Sequence, residues 1–183
     1  MIIFISGGAR SGKSSYAESL CMQLARPGTP LIYLATARPL DAEMKQRIRR
    51  HRQGRARCWQ TIEDGKDLNR VLKHCARGSI VLVDCLTIWL SFLLFEEGLP
   101  VVHILAKARR MLATARQKQL TLVLVSNDVN EGIPPADHEV ARYIYALERL
   151  HRLCVAEADH AIQVVAGQVL SWKGEQRWTG SEA

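Results

Sequence analysis

Aromatic residues make up only 6% of this 183-residue chain, and no stretch of it is long and apolar enough to suggest a membrane anchor. A spanning helix needs about 18–20 consecutive apolar residues. The nearest approach, residues 80–95, is interrupted by Asp84. The apolar start, Met1 to Ile5, is too short for a secretory signal and has no basic segment before it. A cytoplasmic protein without a membrane partner is the expectation. The cysteines, Cys21, Cys58, Cys75, Cys85 and Cys154, are odd in number and include no C-x-x-C pair. That argues against a disulfide framework and for reduced, mostly buried thiols. The spacings of His51, Cys58, His74 and Cys75 match no common zinc module. Internal repeats, low-complexity tracts and obvious linkers are also missing, so a single domain over residues 1–183 is expected.

Forty-eight per cent of the residues are apolar, enough for one sizeable core. The net charge is +7 and is unevenly spread. Residues 38–57 carry +6, residues 101–120 carry +5 with no acid, and the remainder is net −4. Such concentration suits a polyphosphate site or a nucleic-acid groove.

Hydrophobic periodicity predicts alternating strands and helices. Ile2 to Ile5 is a buried strand entering the Gly7-Gly8 turn. Lys13 to Ala25 is a helix with Tyr16, Leu20 and Leu24 inward, ended by Arg26-Pro27-Gly28-Thr29-Pro30. Further strands are expected at Leu31 to Ala35, Ser79 to Asp84 and Leu120 to Ser126. Helices are expected at Asp41 to Arg52, Cys85 to Phe95, Ile104 to Gln119 and Asp137 to Glu157. The third of these turns Leu105, Ala108, Leu112 and Ala115 inward. Residues 128–137 read as a loop. Ala161 to Ala166 and Val169 to Trp172, around Gly167-Gln168, read as a terminal hairpin. Strands without polar faces that alternate with helices indicate an α/β fold, a mostly parallel sheet covered on both sides.

Gly7-Gly8-Ala9-Arg10-Ser11-Gly12-Lys13-Ser14 satisfies G-x-x-x-x-G-K-[ST], between a strand and a helix as that motif requires. Glycines let successive backbone N–H groups turn toward phosphate oxygens, and the start of the helix adds positive potential. Lys13 is placed to reach the β- and γ-phosphates, and the Ser14 hydroxyl to ligate Mg²⁺. Asp84, at the end of the Val81-Leu82-Val83 run, supplies a carboxylate for the same ion; capping of the following helix is the other role open to it.

Lys45, Arg47, Arg49, Arg50, His51, Arg52, Arg55 and Arg57 form a basic stretch whose single imidazole is His51. Such a stretch can be a solvated helix face or a nucleic-acid patch, although only Trp59 offers a stacking platform nearby. A neutral imidazole among guanidiniums is also a competent nucleophile toward phosphorus.

Taken in order, these residues resemble the bifunctional adenosylcobinamide kinase/adenosylcobinamide-phosphate guanylyltransferase family. The resemblance runs through the phosphate loop and Ala17-Glu18, Tyr33-Leu34-Ala35-Thr36, Asp41-x-Glu43-Met44, Arg47-Ile48, His51 and Arg55. It continues through Trp59-x-Thr61-x-Glu63, Val83-Asp84-Cys85-Leu86-Thr87 and Trp89-Leu90. It implies a RecA-like P-loop NTPase fold, a trimeric assembly, and two reactions with ATP or GTP and Mg²⁺. One phosphorylates adenosylcobinamide; the other transfers GMP from GTP to the resulting phosphate. It further implies guanylylation of His51, with Thr36, Ala37, Arg38, Arg52, Gln53, Gly54, Arg55, Glu63 and Asp84 around the nucleotide, and no nucleic-acid partner.

The C-terminal half departs from the family pattern. Ser126-Asn127 is kept, but Asp128-Val129-Asn130 stands where Glu-Val-Gly is usual. Ile144-Tyr145-Ala146 and His151-Arg152 stand where Phe-Arg-Asp and Asn-Gln are usual. Asp159, Gly167 and Lys173 return to the pattern. The alternatives are a diverged small-molecule kinase, a paralogue with one of the two activities, or a non-enzymatic nucleotide-binding regulator.

Overall fold

The computed structural model describes residues 1–37, 58–128 and 137–175. The helix expected over Asp41 to Arg52 and most of the loop expected over residues 128–137 lie outside them.

Short aliphatic runs become the sheet and the longer amphipathic segments become its cover. The strands are β1 (Ile2–Ser6), β2 (Leu31–Ala35), β3 (Trp59–Glu63), β4 (Ile80–Asp84), β5 (Thr121–Val125), β6 (His160–Val165) and β7 (Gln168–Lys173). The helices are α1 (Lys13–Leu24), α2 (Leu68–His74), α3 (Leu86–Ser91), α4 (Val101–Gln117) and α5 (His138–Glu157). Among the described residues the strands form one seven-stranded sheet, ordered β3-β2-β4-β5-β1-β6-β7. All its pairings are parallel except that of β6 with β7, the expected terminal hairpin. No helix among the described residues is long and apolar enough to cross a membrane.

Because side chains alternate along a strand, each central strand feeds two cores. Ile3, Ile5, Tyr33, Leu82, Val123, Val125 and Ile162 pack with Ala17, Leu20 and Cys21 of α1. Phe4, Ile32, Leu34, Val81, Val83, Leu122 and Leu124 pack on the opposite face with residues of α2, α3, α4 and α5. The sheet is therefore covered on both faces, as expected, with α1 as the main described cover on one side and Ile88 of α3 packed beside it.

Four details differ from the sequence reading. On α1 the fully buried stripe is Ala17, Leu20 and Cys21, whereas Tyr16 and Leu24 are only half-buried. The small residues lie directly over the sheet, where the helix approaches closely. The segment expected as one helix over Cys85 to Phe95 is α3 followed by a π-helical turn, Phe92–Glu96. Strand β3 and helix α2 were not anticipated. As an edge strand, β3 pairs only with β2 and keeps a half-exposed, polar-interrupted sequence. Helix α2 has seven residues, too few to display a period, and is started by the Asp67 carboxylate accepting from the Arg70 N–H.

Candidate functional site

The buried strand β1 ends at Ser6, and the chain must turn at once to enter α1. Gly7 permits that turn because there is no room for anything larger: a Cβ there would stand 2.4 Å from the Val164 carbonyl oxygen and 2.7 Å from Ser11 Oγ. Past it, Arg10 (φ 61°) and Gly12 (φ 92°) take left-handed conformations. The Ser11 N–H returns to the Gly8 carbonyl at 3.3 Å. Gly12 caps α1 without a side-chain bond, and the first turn of α1 holds no acidic residue. The opening N–H groups of the helix are thus left for another acceptor.

Two neighbours hold the loop from behind. The Asp128 N–H donates to the Gly7 carbonyl at 3.0 Å, and the Gly167 N–H, at the tip of the β6–β7 hairpin, donates to the Ser11 carbonyl at 3.0 Å. Inside the loop the Lys13 ammonium, 8% exposed, donates to the Gly8 carbonyl at 3.1 Å. The Ser11 hydroxyl is buried and has no hydrogen-bond partner among the described residues. A buried cation, an orphaned hydroxyl and unspent helix amides form a cradle whose chemistry fits a phosphate group.

Sheet register brings the second part of the site to the same edge. Glu63, Ala35, Asp84, Val125 and Ile5 form one row across β3, β2, β4, β5 and β1. Side chains in register across parallel strands share a face, so Asp84 and Glu63 point to the side that carries α1. With β5 between them, β4 and β1 are about 10 Å apart, room for a phosphate group and a small cation. The Asp84 carboxylate accepts a 2.6 Å bond from the Tyr33 hydroxyl. Thr36, 2% exposed, ties the strand tips together: its N–H donates to the Asp84 carbonyl at 3.0 Å, and its hydroxyl donates to the Cys85 carbonyl and accepts from the Cys85 N–H, each at 2.8 Å. Burial, reinforced by the neighbouring Asp84 charge, raises the Cys85 thiol above its ordinary range.

On the other face, at the tip of β5, Ser126 Oγ lies 2.7 Å from His151 Nε2. His151 also meets the Phe4 ring edge-on, with centroids 5.1 Å apart. Burial lowers the His151 pKa to about 4, against a weaker opposing pull from Asp128. Asp128 in turn accepts from Gln163 Nε2 at 3.0 Å, and Gln163 accepts from the Trp172 indole at 3.2 Å.

Of the residues singled out in the sequence, Gly7, Gly8, Ala9, Arg10, Ser11, Gly12, Lys13 and Ser14 form the cradle. Thr36, Glu63 and Asp84 stand along the same sheet edge, with Ala37 directly after Thr36. Arg38, His51, Arg52, Gln53, Gly54 and Arg55 lie outside the described residues. Tyr33, Gly167, Ser126 and His151 stand in the sequence only as matches to, or departures from, the family pattern, without an assigned role in the site. Tyr33 had a visible mark, a hydroxyl inside an otherwise aliphatic strand two residues from its end. Nothing local pointed to the others.

Comparison with known proteins agrees with this geometry. The family model described as cobinamide kinase / cobinamide phosphate guanyltransferase matches residues 3–172. The bifunctional adenosylcobalamin biosynthesis protein CobP of Pseudomonas aeruginosa is 35% identical over 172 residues, covering 93% of this chain and 96% of that protein. The Escherichia coli protein of the same description, CobU, is 31% identical over 179 residues, covering 91% and 97%. Among solved structures, a KaiC-like protein from Pyrococcus horikoshii superposes with a TM-score of 0.55 at 12% identity, over 96% of this chain and 79% of that one. The flagellar accessory protein FlaH of Methanocaldococcus jannaschii does so at 0.50 and 13%, over 95% and 78%. The structural likenesses speak for the P-loop NTPase fold alone. The sequence matches, which run through the cradle and the Asp84 edge, go further: this chain belongs to the cobinamide kinase / cobinamide phosphate guanyltransferase family.

Proposed function

We propose that this chain phosphorylates the aminopropanol hydroxyl of adenosylcobinamide and then transfers GMP from GTP to that phosphate. The products are adenosyl-GDP-cobinamide and pyrophosphate. The observation that carries the reading is the cradle at the start of α1 standing beside Asp84 on one sheet edge, in a chain of this family. Phosphoryl and nucleotidyl transfer depend chiefly on alignment and charge neutralisation, which such an edge supplies.

In this proposal the cradle amides and Lys13 bind the β- and γ-phosphates of ATP or GTP. Ser14 and Asp84 offer hard oxygen ligands to Mg²⁺. No group of three or more His, Cys, Asp or Glu side chains able to hold a metal occurs among the described residues. Mg²⁺ usually takes one or two carboxylates and completes its shell with phosphate and water. When bound, the ion neutralises charge on the transferring phosphates.

For the GMP step we assign the nucleophile to His51. An imidazole nitrogen forms a bond to the α-phosphorus while the bond to the bridging oxygen breaks, and pyrophosphate leaves into the cradle. A phosphate oxygen of cobinamide phosphate then forms the new P–O bond as the N–P bond breaks, which regenerates the imidazole. The basic residues flanking His51 in sequence support this assignment, because they neutralise an attacked phosphate. Thr36, Ala37, Arg38, Arg52, Gln53, Gly54, Arg55 and Glu63 are proposed to surround the nucleotide, in a homotrimer.

The test is incubation with GTP labelled at the α-phosphate, with Mg²⁺. The expected result is an acid-labile covalent label that chases onto cobinamide phosphate and is missing from His51→Ala. An undiminished adduct in that variant removes His51 from the mechanism. Turnover of ATP with cobinamide but no adduct in the wild type reduces the activity to the kinase step.

A further inference from the structure

We infer that this protein has a second anion site, separate from the cradle, that takes one tetrahedral oxyanion of the phosphate class. It is a cavity of about 70 Å³ where α2, α3 and α4 meet, walled by Lys66, Asp67, Asn69, Trp89, Lys107 and Arg110. No cradle residue lines it.

Most polar groups of the wall are donors. Trp89 is 2% exposed, yet its indole N–H has no hydrogen-bond partner among the described residues. An indole nitrogen can only donate, so a buried and unpaired one asks for an acceptor. Asn69 Oδ1 already accepts from the Thr114 hydroxyl at 2.7 Å, which leaves its NH₂ group as the free end. Lys66, Lys107 and Arg110 form no ion pair with any carboxylate among the described residues. The one acid in the wall, Asp67, starts α2, its Oδ1 accepting from the Arg70 N–H at 3.0 Å. Three cations and the Asn69 amide against one carboxylate favour an anion over a cation or an apolar ligand, with the unpaired Trp89 indole N–H just behind the wall.

Size narrows the class. At about 70 Å³ the cavity is far below the roughly 300–1,000 Å³ of pockets that take drug-sized ligands, so it suits a phosphate group rather than a nucleotide. Free phosphate and the terminal group of a phosphomonoester share that chemistry. The occupant would bridge elements that leave the carboxyl ends of neighbouring chain segments: α2 follows β3, and α3 begins two residues after Asp84. This inference does not depend on the corrinoid reading.

The experiment follows the Trp89 indole N–H resonance in full-length protein carrying ¹⁵N-tryptophan, with the signal assigned by Trp89→Phe. Inorganic phosphate is titrated at constant ionic strength into the wild type and into Lys13→Ala, which weakens the cradle. A saturable shift of the Trp89 signal is expected in both proteins. In the Lys107→Ser/Arg110→Ser double variant the affinity read from that signal should fall by roughly tenfold or more, with GTP binding unchanged. Should that variant fold poorly, by circular dichroism, the single Lys107→Gln variant serves in its place. Glycerol 2-phosphate in a parallel titration separates the sources: equal affinity marks a monoester site, and a clear preference for phosphate marks a free-anion site. A Trp89 signal that never saturates, that moves equally with chloride, or that responds unchanged when the two cations are removed would overturn the inference.

Discussion

Tyr33 donates a 2.6 Å hydrogen bond to the carboxylate of Asp84, from the neighbouring strand and from two residues nearer the amino end. The phenol therefore fixes the orientation of a strand-end carboxylate that faces the cradle side. A bond to a charged acceptor is worth about 1.5–3 kcal/mol.

Removing that bond should alter the use of metal and triphosphate more than the fold. Tyr33→Phe keeps the buried ring, so the melting temperature should change little. Its kcat/KM for the triphosphate should drop by roughly tenfold, with a higher Mg²⁺ requirement. Asp84→Asn can still accept from Tyr33 but lacks the charge, and should lose considerably more. Equal kinetics in wild type and Tyr33→Phe would show that Asp84 needs no such positioning.

The His151 imidazole should make stability pH-dependent. Its folded pKa is about 4 because of burial, against about 6.5 in an unfolded chain. Between those values the unfolded state binds more protons, so stability rises with pH. The contribution is complete above about pH 6.5 and is lost as pH falls toward 4, reaching about 3 kcal/mol. Urea unfolding at pH 7 and pH 5 should show a larger loss for the wild type than for His151→Asn. Parallel losses in the two proteins would rule out His151 as the source.

Space, rather than chemistry, should decide the first glycine of the cradle. A methyl group at Gly7 meets the Val164 carbonyl oxygen at 2.4 Å, and that oxygen belongs to backbone that cannot rotate away. At Gly8 a methyl group meets nothing within 4 Å. Gly7→Ala should cost about 1–3 kcal/mol and loosen the hairpin from the loop, while Gly8→Ala should stay within about 0.5 kcal/mol. Thermal denaturation of both variants without nucleotide checks this. Indistinguishable melting temperatures would contradict the packing described.

Asp159 joins the start of β1 to the start of β6. Its carboxylate accepts from the Ile2 N–H at 2.6 Å and from the Arg116 guanidinium at 2.7 and 2.9 Å. Partial burial by itself would raise its pKa, but these bonds outweigh it and hold the carboxyl below the usual carboxylate range. Asp159→Asn should lower stability at pH 7 by about 1 kcal/mol, limited by solvent around a pair that is 44% and 37% exposed. A depressed folded pKa gives stability that is present above the unfolded value, about 3.9, and lost as pH falls through the folded one. The gap between the two proteins should therefore close in strong acid; a gap that persists there would point to packing instead of charge.

Much of the fold was legible because its signals are local. A hydrophobic run of five residues, a glycine-rich turn and an amphipathic period each sit within one stretch of chain, which is why β1, α1, β4, α4 and the hairpin were readable. Strand β3 was not, because an edge strand contacts only one neighbour and is free to keep polar residues. The buried stripe of α1 was misread because small residues, Ala17 and Cys21, do the packing where helix and sheet come close.

What the amino-acid order determined by itself was the phosphate cradle, the carboxylate at a strand end and the alternation that yields a parallel sheet. Each depends on residues within a few positions of one another and on backbone stereochemistry that glycine and periodicity control. The tertiary structure alone decided that Tyr33 meets Asp84 from 51 positions away, that His151 meets Ser126 from 25, and that Val164 closes over Gly7. Those meetings follow from strand order and register. A shift of one residue in either turns every side chain to the opposite face, and no local pattern records which pairing the whole sheet adopts.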